Sequence, residues 1–445
     1  MHRFMPEKLL PEDNRIVNES PEISVGERGG WIEALSNSFP ALQNRNYKLY
    51  FFGQLISLIG TWLQIVAQGW LVLKLSNSAF LLGLVAALST LPSLLFTLFG
   101  GVIVDWFPKK TILLFTQSSA MILAFILGIL TWAHFINIWE IGVLSFLLGT
   151  VGAIDSPARQ AFVPEMVNKD ELTSAIALNS GVFNAARVIG PGVAGLLIAL
   201  VGTGGAFIVN GLSYIAVIVA LLMMRLEPRK QAQKTNALLA IKQGFSYSLA
   251  HPIIRTLILF TAVSSVFGWS YTTIMPIIAQ NEFHLGADGL GYLYAATGLG
   301  ALMATFLIAG FSKRIPPIIY IAGGSMLFAV SLIMFSFTTN FYWALVFLFF
   351  AGLGLLSQFA MMNTRIQSLV KGEFRGRVMS IYVFMFLGLA PIGNFEIGWL
   401  SEKTSTSFAI RLSAIVVFIF ALIVFLRRNI ITKAFNQYKS TNEAV

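Results

Sequence analysis

Asp155-Ser156-Pro157-Ala158-Arg159-Gln160 opens a polar run that closes on Lys169-Asp170-Glu171, and a long apolar stretch follows over residues 174–201. Within it lies Asn184-Ala185-Ala186-Arg187-Val188-Ile189-Gly190-Pro191. About 20 apolar residues cross the ~30 Å of hydrocarbon in a bilayer, so this stretch reads as a spanning helix. An arginine at that depth is expensive and calls for a wet or paired setting. Gly190-Pro191 sits one turn beyond it and interrupts the ladder of backbone hydrogen bonds. The pattern reads as a hinged helix that forms one wall of a cavity.

The remainder of the chain agrees with a membrane setting. Of its 445 residues, 56% are hydrophobic and only 11% charged, against roughly 25% charged in soluble domains. There is no cysteine, which excludes disulfides and thiolate metal sites. The first forty residues are polar and carry Glu7, Glu12, Asp13, Glu19, Glu22 and Glu27. They contain no apolar core of a signal peptide and read as a loose tail with one short amphipathic turn near Trp31–Leu35.

Apolar runs long enough to span occur twelve times, from residues 47–73 to residues 407–426. The fourth run, 138–154, is short; the fifth and sixth are 174–201 and 206–224. The fold expected is an all-α integral membrane protein with twelve transmembrane helices in two six-helix, pseudo-symmetric bundles. The expected divisions are a tail over 1–44, a first bundle over 45–224, a linker over 225–252, a second bundle over 253–427 and a tail over 428–445. Internal repetition supports two halves. Val167-Asn-Lys-Asp-Glu171 leads into the helix with Gly190-Pro191, and Val370-Lys-Gly-Glu373 leads into one with Ala390-Pro391, about 200 residues later, as parallel repeats give.

Lysine and arginine fix the expected orientation. If both termini share one side, only Lys74, Lys403 and Arg411 fall in loops and helix ends on the other. Both termini are then cytoplasmic. The net charge of +10 is scattered over inner loops and forms no nucleic-acid stripe.

Several polar residues lie inside the spans. Gln54, Ser57, Thr61, Gln64 and Gln68 recur at steps of three and four and share one face of the first helix. They line a water-filled cavity or hold helices together by hydrogen bonds. Ser265, Trp269 and Thr272 form a counterpart face on the seventh helix. Arg187 shares a face with Ser180 and Asn184. It either attracts an anion, couples to a titrating carboxylate, or bonds structurally to helix carbonyls. Glu396 is the acid most clearly inside a span and is the candidate for proton coupling beside Arg187. The glycines of the fifth helix and Gly289, Gly291, Gly298 and Gly300 of the eighth give small faces that approach closely and slide.

Gly101, Asp105, Lys109 and Lys110 follow the second span and read as a latch across the cytoplasmic face or as a solvated turn. The four histidines are dispersed, and no phosphate loop ending in Lys-Ser or Lys-Thr occurs. An enzyme and an ATP-driven pump are disfavoured.

These residues resemble a known family. Gly101…Asp105…Lys109-Lys110 resembles the signature loop of the major facilitator superfamily, and Gly190-Pro191 with Gly195 resembles the antiporter motif of its exporters. Gly53-Gln-Leu-Ile-Ser57, Gly60-Thr-Trp-Leu-Gln64, Pro157-Ala-Arg-Gln160, Phe183-Asn-Ala-Ala-Arg-Val-Ile-Gly-Pro191 and Arg375-Gly-Arg377-Val-Met-Ser380 are similar to the enterobactin-exporter-like branch. The resemblance runs from about Leu42 to Arg427. It implies alternating access energised by proton antiport, with no cofactor. It implies a latch and hinge built from Gly101, Asp105, Lys109, Arg159, Gly190, Pro191, Arg375 and Arg377. Two departures stand out: Trp106 replaces the usual latch arginine, and a fourth span ending at residue 154 lacks the arginine of proton-coupled drug antiporters.

The expected function is a secondary exporter of a siderophore or amphipathic drug-like molecule in the bacterial inner membrane. Its substrate cavity is expected to include Gln54, Ser57, Thr61, Gln64, Gln68, Asn184, Arg187, Trp269 and Thr272. The expected partners are a small-molecule substrate, protons and the lipid bilayer, with no nucleic acid and a monomeric state. The alternatives are an uptake carrier of the same fold and a non-transporting membrane sensor or scaffold.

Overall fold

The computed structural model describes residues 39–225, 237–312 and 314–427, all without a strand. The tails beyond these bounds, part of the linker and Lys313 lie outside the described residues. The helices are α1 (Arg45–Ser76), α2 (Ala79–Trp106), α3 (Lys109–Trp132), α4 (Ile138–Met166), α5 (Leu172–Met223) and α6 (Ala237–Ala250). There follow α7 (Pro252–Asn281), α8 (Ala287–Phe311), α9 (Ile319–Phe335), α10 (Phe341–Leu369), α11 (Gly372–Lys403) and α12 (Thr406–Leu426). Ten are long and apolar enough to cross a membrane, and α9 is a shorter apolar helix. Helix is what lipid demands, because it satisfies backbone donors and acceptors within one segment.

Starts are marked by side chains that accept from otherwise unpaired amides. Asn44, Ser78, Asn137, Asn340 and Ser405 cap α1, α2, α4, α10 and α12. Glu140 completes a reciprocal capping box with Asn137 at the start of α4.

α5 has 52 residues and would be about 78 Å long if straight. It is not straight. Gly202 has φ 70°, a left-handed conformation suited to glycine, and the chain reverses there. The Tyr47 hydroxyl donates to Ala175 O (2.7 Å) near the start of α5. The adjacent Asn46 of α1 and Lys110 of α3 reach its end: Asn46 Nδ2 donates to Arg225 O (2.8 Å), and Lys110 Nζ donates to Met224 O (2.9 Å). Both ends of α5 therefore lie on one side, here the terminal side, with Gly202 on the far side. The cationic groups at the end of α5 also suit the negative end of the helix dipole. Pro191 does not break the first arm, which continues through it; the break comes at Gly202.

α4 corrects the sequence reading. It does not end near residue 154 but runs to Met166 with Pro157 and Pro164 inside it. Membrane helices tolerate proline where neighbouring groups re-satisfy the backbone. Arg159, read as part of a loop after a short span, is thus on this helix.

Within the second half, α8 and α10 pack backbone to backbone. A Cβ at Gly352 would lie 1.9 Å from Thr297 O, whereas Gly310 on α8 faces open space. Gly352→Ala is expected to cost about 1–3 kcal/mol, the range for overpacking, and to lower the unfolding midpoint in detergent. Gly310→Ala is expected to leave it unchanged or raise it, since alanine favours helix by roughly 1 kcal/mol.

Candidate transport cavity

A cavity of about 790 Å³ lies between helices of the first half (α1–α5) and of the second (α7–α12). That volume is within the usual range for small-molecule sites, roughly 300–1,000 Å³. α1 supplies Thr61, Gln64 and Gln68, α4 supplies Asp155, Arg159 and Gln160, and α5 supplies Arg187 and Pro191. The second half supplies Trp269, Thr272, Phe359 and Phe386.

The polar stripe of α1 divides between its two expected roles. Thr61, Gln64 and Gln68 line the cavity. Gln54 and Ser57 do not; both are buried, and Gln54 Nε2 and Ser57 Oγ find no partner among the described residues. Gln64 also accepts a short hydrogen bond from Asn210 Nδ2 on the returning arm of α5. Gly60 permits that approach, since a Cβ there would lie 2.6 Å from Asn210 Oδ1. Of the remaining expected cavity residues, Arg187, Trp269 and Thr272 line it, and the side chain of Asn184 lies outside the described residues.

Arg187 has no carboxylate partner among the described residues. Its guanidinium carbon stands 4.8 Å above the Trp269 ring, a contact in which the ring face attracts the cation. Trp269 is presented by a local change of helix type. α7 passes through a π turn (Ser264–Gly268) into a 3-10 turn (Trp269–Ile274). α11 has a matching π turn at Phe384–Gly388, and Ser265 Oγ donates to Phe386 O (2.6 Å) across the two. Such turns leave carbonyls free and often mark working sites.

Asp155 is the acid that the sequence reading did not select. It is buried and paired with Arg159 one turn along α4. Thr116 Oγ1 (2.6 Å) and Gln117 Nε2 (2.7 Å) donate to its Oδ1 from α3. A charge pair at this depth holds only with such full hydrogen bonding. The acid-to-arginine step of four was visible in the sequence; ending the span at residue 154 hid it. Glu396 does not line the cavity. It is partly buried on α11, and its Oε2 has no partner among the described residues.

Of the expected latch residues, Lys109, Arg375 and Arg377 do not line the cavity. The side chain of Asp105 and the surroundings of Gly101 lie outside the described residues. Lys109 pairs with Glu165 at 3.6 Å, within the first half. Arg375 is exposed, and Arg377 lies over Phe374 at 5.4 Å. Gly190 packs on Trp62, where a Cβ would come within 2.4 Å of Trp62 Cβ.

The two halves meet chiefly on the far side. α2 packs on α11 and α5 on α8. A Cβ at Gly83 would lie 2.7 Å from Gly398 Cα, and one at Gly195 would lie 2.9 Å from Gly291 Cα. The α5–α8 contact was expected from sequence; the α2–α11 contact was not. Polar bonds reinforce the second. Asn394 Nδ2 on α11 donates to Ala86 O and Thr90 Oγ1, both 3.3 Å away on α2. Glu402 Oε2 accepts from Ser78 Oγ (3.0 Å) and Phe80 N (3.1 Å) at the start of α2. Toward the terminal side, the described spanning helices of the two halves make no comparable contact. The cavity therefore opens on that side.

Gly83→Val is expected to force the far-side seal apart, because the obstruction is backbone. An overpacking cost of about 1–3 kcal/mol favours the separated form by roughly fivefold to a hundredfold. With no native cysteine, a single Thr273→Cys reports it. Labelling by an impermeant maleimide from the far side is expected to rise in the Gly83→Val background.

The comparisons with known proteins agree with this geometry. The family model described as "Transmembrane secretion effector" matches residues 36–443. The staphyloferrin A transporter of Staphylococcus aureus is 27% identical over 350 residues, 78% of this chain and 87% of the relative. The multidrug efflux pump Tap of Mycolicibacterium fortuitum is 24% identical over 366 residues, 80% and 88% of the two chains. Among solved structures, an inward-facing bacterial homologue of the human lysosomal transporter Spinster superposes with a TM-score of 0.71 at 14% identity, over 89% of this chain and 98% of that one. A nucleoside transporter gives 0.68 at 12% identity, over 86% and 99%. The family and these relatives are transporters and not enzymes. The chain is a multi-pass membrane protein that belongs to the transmembrane secretion effector family of the major facilitator superfamily.

Proposed function

We propose that this transporter is a proton-coupled exporter of an amphipathic small molecule, siderophore-like or drug-like, in the bacterial cytoplasmic membrane. Its architecture is read as two six-helix bundles over residues 45–224 and 253–427, joined by a linker over 225–252. α5 counts as two passes about Gly202 and α9 as one, giving twelve. By the distribution of lysine and arginine, the terminal side is the cytoplasm. The chain works as a monomer, needs no cofactor, and draws on the proton gradient.

The observation that carries this reading is the Asp155–Arg159 pair on the wall of a cavity shared by both halves. A proton on Asp155 removes the charge that holds Arg159 and its α3 partners in place. That is a local electrostatic event able to bias two packings of the halves. Asp155 therefore takes the coupling role considered for Glu396, which does not face the cavity. Arg187 is left to bind substrate. Alternation opens the Gly83–Gly398 and Gly195–Gly291 contacts and closes the cytoplasmic side. Gly190 and Pro191 shape the helix that moves. The direction is supported by the Gly-Pro motif and by similarity to a named efflux pump; both supports are analogies.

Efflux from cells, measured with a panel of catechol siderophores and hydrophobic drugs, tests the reading. One class is expected to leave faster in cells that make the protein, and a protonophore is expected to stop it. Accumulation of that class instead would identify an uptake carrier. Asp155→Asn is expected to abolish gradient-driven transport in proteoliposomes while retaining exchange of substrate across the membrane. Loss of both, with the protein inserted, would remove Asp155 from proton coupling.

A further inference from the structure

Among the described residues, the charged ones that line the cavity are Asp155, Arg159 and Arg187. The first two neutralise each other in a direct ion pair. Arg187 is left as one uncompensated positive charge. A cavity so charged at membrane depth disfavours a cationic ligand and favours an anionic one.

The posture of Arg187 narrows the class further. Its guanidinium carbon lies 4.8 Å over the Trp269 ring. A contact with the ring face uses up no acceptor, and the planar fork of N–H donors matches a carboxylate with two parallel hydrogen bonds. The wall beyond Trp269 is aromatic. Phe386 stands 5.9 Å from it, edge to face, and Phe359 is 4.6 Å from Phe386. The nearby tyrosine hydroxyls are already used: Tyr382 donates to Phe359 O (3.1 Å) and Tyr294 to Thr272 O (2.8 Å). Around Trp269 and Phe386 this wall offers ring surface, with the polar groups of Thr272, Thr273, Asn363 and Asn394 elsewhere on the same half.

The first-half wall is different in kind. It presents amides and hydroxyls from α1 and α3. Gln117 is fixed by its bond to Asp155, and its buried Oε1 has no partner among the described residues.

We propose that the cavity selects amphipathic molecules in which a carboxylate adjoins an aromatic ring, with the carboxylate on Arg187 and the ring along Trp269 and Phe386. The proposal rests on the reading of this cavity as the transport site and adds the chemical class of its ligand.

Calorimetry on the full chain in nanodiscs at neutral pH tests it. The probes are 2-naphthoate, its neutral analogue 2-naphthamide and the cationic 2-naphthylmethylamine. Wild type is expected to bind the acid more tightly than the amide by about tenfold to a hundredfold, the range for a hydrogen bond to a charged group. Arg187→Gln is expected to erase that advantage, so that acid and amide bind alike, while its helical circular dichroism and elution profile match those of wild type and show that the variant is folded. Arg187→Lys is expected to keep part of it, because lysine retains the charge without the planar fork. The proposal is overturned if wild type binds the amide or the amine as tightly as the acid. It is overturned equally if wild type binds no acid, or if the acid's advantage survives Arg187→Gln. No proton gradient enters the measurement. If the acid preference holds while cellular efflux ignores a protonophore, the ligand class stands and proton coupling falls.

Discussion

A guanidinium without a carboxylate, held at membrane depth, governs this structure. Arg187 lies over the face of Trp269 and pairs with no carboxylate among the described residues. Lipid contact would be costly for that charge, so the helices around it must leave space for water or ligand. The π and 3-10 turns of α7 and the π turn of α11 serve that need. They set Trp269 and Phe386 against the cavity at the cost of regular helix bonding, part of which Ser265 restores. The second charged set, Asp155 with Arg159, Thr116 and Gln117, solves the same problem by mutual pairing. One charge is satisfied within the protein and one is not, and the cavity lies between them.

Closure on the far side depends on an absence of side chains. Gly83 meets Gly398, and Gly195 meets Gly291, so the halves touch at backbone level in two places. If the chain is built from the two repeats proposed above, the two contacts are counterparts. Each joins an early helix of one half to the equivalent of the fifth helix of the other. Small residues let helices approach where water supplies no hydrophobic drive between them. Glu402 and Asn394 add hydrogen bonds to the α2–α11 contact. Such contacts can be lost together without tearing a packed core, as a rigid-body change requires.

Much of this was legible in the chain. Hydrophobic length gave the spans, because the thickness of the bilayer sets helix length directly. Arg187 announced itself as a charge inside an apolar run, and the structure sets it on the cavity wall. The failures have physical causes. Pro157 and the polar residues around it ended α4 too early on the page. In the structure, that polar face is turned toward a cavity, where a helix carries prolines and charges that lipid would not accept. Gln54 and Ser57 share a helical face with Gln64, and periodicity alone could not tell which members of the stripe meet the cavity and which meet a neighbouring helix. Gly83 and Gly398 lie far apart in sequence, in runs where glycine has no special neighbours. Their meeting is a property of the assembled halves.

The central claim is that the two halves exchange a far-side seal for a terminal-side one around Arg187. Pairs of spin labels measure this most directly, and a chain without cysteine suits the method. One pair is placed at Lys74 and Lys403 on the far side, the other at Lys169 and Glu373 on the terminal side. The account predicts opposite changes when the pH is lowered: the far-side distance lengthens as the terminal-side distance shortens. Two distances that stay fixed, or that lengthen together, would contradict it.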